Sequence, residues 1–133
     1  MEKNNEFCLI GHLQVMEEPL ASLYKENSTG RFYLFERTFE VEIEDTYVLS
    51  EVTPLTVLKY MNGEIQLKTI FLNHTTYYYH HDGDSMSSNK FRQISTEALA
   101  QKLESSSSCD TYKPVLAHRS AALKRMLKSY IAL

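Results

Sequence analysis

The sequence predicts an α+β fold in one domain, with an antiparallel sheet of about five strands in the N-terminal two-thirds and helices after it. Three observations carry this. Apolar and β-forming residues with period-two alternation dominate up to about residue 53. The apolar period lengthens to helical spacing at Thr53-Pro54. No internal repeat and no alternating strand–helix pattern of a parallel sheet is present. A chain of 133 residues fits a single domain and can bury one core without a disulfide staple or a structural metal.

The elements follow in order. Phe7 to Val15 reads as the first strand, with Cys8 in the run Phe7-Cys8-Leu9-Ile10 as a small core residue. Pro19 to Lys25 is the second, and Pro19 stands where the ladder needs no donor. Asn27-Ser28-Thr29-Gly30 supplies a turn, with Gly30 free to take positive φ. Arg31 to Glu40 completes a hairpin, Phe32 and Leu34 alternating against Arg31, Tyr33, Phe35 and Arg37. Glu40-Val41-Glu42-Ile43-Glu44 sets two aliphatics against three glutamates and reads as a half-solvated strand. Tyr47-Val48-Leu49-Ser50 is the next. Thr53 caps and Pro54 opens a short helix over 54–62, with Gly63 just beyond it. Glu64 to Leu72 adds about one turn presenting Ile65, Leu67, Ile70 and Phe71. Tyr77-Tyr78-Tyr79-His80-His81 is strongly β-prone, and residues 82–93 read as a loop. Two helices close the chain, at about 95–104 and 117–131. The second places Leu123, Met126, Leu127 and Tyr130 on one side and His118, Lys124, Arg125 and Lys128 on the other.

Charge and cysteine usage narrow the function. A net charge of −3 argues against nucleic acid as a partner. Residues 1–53 carry 11 acidic and 4 basic side chains, whereas 54–133 carry 6 and 10. This asymmetry fits separate solvated faces, self-association, or a partner of matching charge. No apolar stretch reaches the ~18–20 residues of a membrane span. The start, Met1 to Glu6, is polar and acidic, unlike a signal peptide. Two cysteines, Cys8 and Cys109, then imply reduced thiols and a cytoplasmic setting, with Cys109 exposed after its four serines.

The chain has no nucleophile elbow, Walker loop, dinucleotide fingerprint or Cys-x-x-Cys. No catalytic residue and no cofactor is therefore expected. The first expectation is a non-enzymatic protein–protein interaction module, immunity-, antitoxin- or inhibitor-like, that binds a protein partner or forms a homodimer, with no membrane role. Tyr77 and Tyr79 would be its aromatic anchors, because tyrosine presents a large ring and a polar tip. Arg119, Lys124, Arg125 and Lys128 would form a cationic rim. The alternative is a metal- or small-ligand-binding domain using His80-His81-Asp82-Gly83-Asp84, with His80, His81 and Asp84 as ligands. Adjacent strand side chains point to opposite faces, so both histidines reach one ion only where the strand ends or bulges. His81 with Asp84 across a turn, joined by His74 or His12, is the workable form. Asp82-Gly83-Asp84 has too few oxygens for a calcium loop.

Pro19-Leu20, Gly30, Tyr33-Leu34 and Tyr47-Val48-Leu49 are followed by Leu55 and Leu58, then Gly63-Glu64-Ile65, Leu67, Ile70-Phe71-Leu72-Asn73 and a closing aromatic strand. In this pattern residues 19–79 resemble a family of small bacterial domains of unknown function. The resemblance implies a fold and transfers no functional residue. Residues 82–133 lie outside it.

Overall fold

The computed structural model describes residues 6–16, 18–40, 43–83, 86–104 and 117–131, without the side chains of 14–16, 18–20, 39–40, 43–44, 103–104 and 117–120. The strands are β1 (Phe7–Met16), β2 (Glu18–Glu26), β3 (Phe32–Glu40), β4 (Ile43–Val52), β5 (Thr76–His80) and β6 (Arg92–Gln93). They form one antiparallel sheet in chain order, β1 to β6. The helices are α1 (Pro54–Met61), α2 (Leu67–Leu72), α3 (Thr96–Glu104) and α4 (Ala117–Ile131). The fold is therefore α+β, with six strands where about five are expected. The addition is β6, two residues paired with Tyr77 and Tyr78. No helix among the described residues is long and apolar enough to cross a membrane.

Local chemistry sets the element ends. In the β2–β3 turn Gly30 sits at φ +76, and the Thr29 hydroxyl donates to Glu26 at 2.8 Å. Thr53 Oγ1 accepts the Thr56 N–H at 3.2 Å and caps α1, while Gly63 takes φ +81 just past its end. Ser95 Oγ accepts the Ala98 N–H at 3.1 Å and starts α3.

Two readings of the strands are corrected. Glu40 to Glu44 is not a strand of its own: Glu40 ends β3 and pairs with Ile43, which opens β4. The alternation there is real in sequence, but the chain reverses within it. Cys8 is exposed instead of buried, because Phe7 takes the covered position at this end of β1. An apolar run on an edge strand does not say which parity is inside. Tyr33 and Phe35, on the opposite side of β3 from Phe32 and Leu34, are also buried, at 6% and 4% exposed. The sheet buries apolar side chains on both faces.

The first face carries the helices. Leu13, Leu23, Leu34 and Val48 meet Val57 of α1, Ile70 and Phe71 of α2, Leu99 of α3, and Leu123 and Leu127 of α4. Tyr130 of α4 packs edge-on to Phe32 at 5.0 Å. Met126, expected on this buried side, is 41% exposed. Glu36 is fully buried and shares the parity of Leu34, so it belongs to the helix-covered face. The opposite face is aromatic: Phe7, Tyr33, Phe35, Leu49 and Tyr79 form a second core, flanked by Tyr24, Tyr47, Tyr77, Met86 and Phe91. No helix covers it. Phe91 sits over it, 5.4–6.2 Å from the rings of Phe7, Tyr33, Phe35, Tyr77 and Tyr79. The segment read as a loop is thus pinned by one aromatic anchor.

Candidate functional site

Two neighbouring rows of the sheet build a cleft on the helix-free face. In the first row His12 pairs with Ser22, Ser22 with Phe35, and Phe35 with Leu49. In the second Arg37 pairs with Tyr47, and Tyr47 with Tyr79. Paired residues on adjacent strands share a face, so each row brings distant residues side by side. The cleft has a volume of about 220 Å³, and its lining includes His12, Arg37, Tyr47, Tyr79, His81 and Met86.

Its polar groups are positioned by short contacts. His12 Nδ1 and Ser22 Oγ share a hydrogen bond of 2.6 Å. His81 Nδ1 and the Tyr79 hydroxyl share one of 2.8 Å. The backbone N–H of His81 donates to the Asp45 carbonyl at 2.9 Å, which fixes the chain as it leaves β5. Arg37 Nη2 lies 3.6 Å from Asp45 Oδ1. Asp45 has φ +55, a left-handed conformation that aspartate tolerates better than most residues. Aromatic rings form the walls. Tyr47 stacks near Tyr79 with centroids 6.4 Å apart, and Tyr24 meets Phe35 edge-on at 5.0 Å. Burial pushes the Tyr24 hydroxyl above its ordinary pKa.

The structure divides the residues predicted as an interface. Tyr77 and Tyr79 lie on the helix-free face, Tyr77 half-buried beside Phe91 and Tyr79 only 2% exposed. Lys124 is half-buried on α4, and Arg125 and Lys128 are exposed there. Since α4 packs through Leu123 and Leu127 on the other face, these two groups do not form one surface. The side chain of Arg119 lies outside the described residues.

The histidine segment is divided too. His80 is exposed at the end of β5, and His81 turns into the cleft. Asp84 lies outside the described residues. Among the described residues no group of three or more His, Cys, Asp or Glu side chains is placed to hold a metal ion. His74 sits at the end of α2, where its Nδ1 donates to the Ile70 carbonyl at 2.8 Å. Of the histidines considered as companions for His81, His12 is the one at the cleft.

Sequence reasoning passed over Arg37, Tyr47 and Ser22. For Arg37 a signal existed, since it alternates in step with Tyr33 and Phe35. For His12 none did. Phe7 and His12 are an odd number apart, yet both face the aromatic side, because the β1–β2 register shifts between Leu9 and Gly11.

No family model, curated protein or solved structure matches the chain.

Proposed function

We propose that the chain is a non-enzymatic binding module whose working site is the cleft on the helix-free face, built for a compact ligand. One observation carries this reading: His12 from β1, Arg37 from β3 and His81 after β5 converge on a single aromatic-walled cavity of about 220 Å³. Binding sites are typically apolar hollows with a few convergent polar groups. A catalytic reading has less support. Ser22 and His12 stand at hydrogen-bond distance, but among the described lining residues there is no carboxylate of the kind a serine–histidine–acid triad uses. The small-ligand reading thus moves from the His80-His81-Asp84 segment to His81 and residues of other strands. A cytoplasmic location is part of the proposal and rests on the sparse cysteines.

The test is a set of amide spectra of the ¹⁵N-labelled full chain, recorded against mixtures of small polar aromatics. Shifts concentrated on Ser22, Tyr47, Tyr79 and His81 are expected, and Tyr47→Ala should weaken them. Shifts scattered over the surface, or unchanged by Tyr47→Ala, would overturn the reading.

Association with a protein partner or a second copy is proposed for a different surface, the outer side of α4. The supporting observation is that Arg125, Met126 and Lys128 stand exposed together. Native mass spectrometry should then show a complex that Arg125→Glu with Lys128→Glu dissolves. A monomer at all concentrations rules out the homodimer.

A further inference from the structure

We propose that the ligand of the cleft is a flat organic monocarboxylate, an aromatic acid or a similarly planar one, and that Asp45 competes with it for Arg37. This rests on the reading of the cleft as a ligand site.

The walls argue for a flat body. Tyr24, Phe35, Tyr47 and Tyr79 present ring faces and edges, and aromatic rings favour planar partners in offset or edge-on contact. The polar groups argue for an acid. Among the described lining residues Arg37 is the charged one, His12 and His81 add ring nitrogens, and none is a carboxylate. An ionised carboxylate is an acceptor that the planar guanidinium fork matches in shape. One guanidinium suits one negative charge better than two. The size argues against anything large, since about 220 Å³ is below the range of drug-sized and cofactor pockets.

Asp45 is the intramolecular stand-in for such an acid. Its carboxylate approaches Arg37 from the rim, with its side chain 50% exposed against 21% for Arg37. An ion pair this exposed is weak, so an incoming carboxylate can displace it. The left-handed backbone at Asp45 suits asparagine as well as aspartate, so the charge can be removed with the conformation kept.

The experiment titrates the labelled full chain with four probes: benzoate, its neutral isostere benzamide, the non-planar cyclohexanecarboxylate, and inorganic phosphate. Benzoate is expected to move the amides around the cleft with a dissociation constant on the order of 1 mM. Benzamide should bind roughly tenfold more weakly, since a charge-assisted hydrogen bond is lost. Asp45→Asn should tighten benzoate by about two- to fivefold, and Arg37→Gln should weaken it by roughly tenfold. Should Arg37→Gln fail to fold, Asp45→Asn carries the test through its opposite sign. The assignment is overturned if Asp45→Asn leaves benzoate unchanged or weaker. It is equally overturned if benzamide, cyclohexanecarboxylate or phosphate binds as well as benzoate, and the cleft then remains a ligand site of another chemistry. Silence from all four probes and from the aromatic mixtures overturns the ligand-site reading itself.

Discussion

Tyr24 shows how one side chain ties the aromatic face to solution conditions. Burial raises its pKa above the ordinary tyrosine value near 10, which means that folding favours the neutral phenol. Its contribution to stability is complete below about pH 10 and is lost as pH rises through the folded-state value. Tyr33 acts in the same direction through burial, with the hydrogen bond to Arg31 partly opposing it. Melting temperatures should therefore fall above about pH 10, and Tyr24→Phe should fall less steeply. Parallel alkaline profiles for the two proteins would contradict this account. Single residues also mark where sequence reading stops. The tyrosines at 77 and 79 were legible as a same-face pair. Their burial was not, because it depends on Phe91, fourteen and twelve positions further on.

Helix α4 docks on β1 at one tight point. A methyl group added at Gly11 would lie 3.2 Å from both Leu123 methyl carbons, closer than ordinary van der Waals contact. Gly11→Ala should therefore cost about 1 kcal/mol by overpacking. Leu123→Ala alone should cost about 2–5 kcal/mol, as expected for a buried leucine. In the double variant the added methyl has room, so the two costs should sum to more than the measured loss. A double-mutant cycle by urea denaturation reads this coupling, and strict additivity would show that the two sites do not touch. The elements themselves were largely legible. Thr53-Pro54 and Gly63 bracket α1 because caps and helix stops act over one turn of chain. Glu40 to Glu44 failed because alternation does not report a reversal inside it.

The molecule has two cores on one sheet, and they should differ in how they respond to damage. The helix-covered core draws on four helices, whereas the aromatic one is closed mainly by the segment carrying Phe91 and Met86. Phe91→Ala should lower global stability by about 2 kcal/mol, less than a fully buried phenylalanine, because Phe91 is half-buried. Hydrogen exchange should accelerate first in β5 and β6, with β2 and α1 still protected. Uniform acceleration across the sheet would show that the two cores open as one unit.

The sequence by itself determined the α+β class, the helix bounds and most strand positions, because periodicity, caps and turn residues act over a few neighbouring positions. Only the tertiary structure decided which face of the sheet the helices cover and that the other face is also packed. It alone set His12, Arg37 and His81 around one cleft. That placement depends on the β1–β2 register shift, the pairing of Arg37 with Tyr47 and of Tyr47 with Tyr79, and the exit of the chain after β5. Register and face are settled between strands, by contacts among residues far apart in the chain.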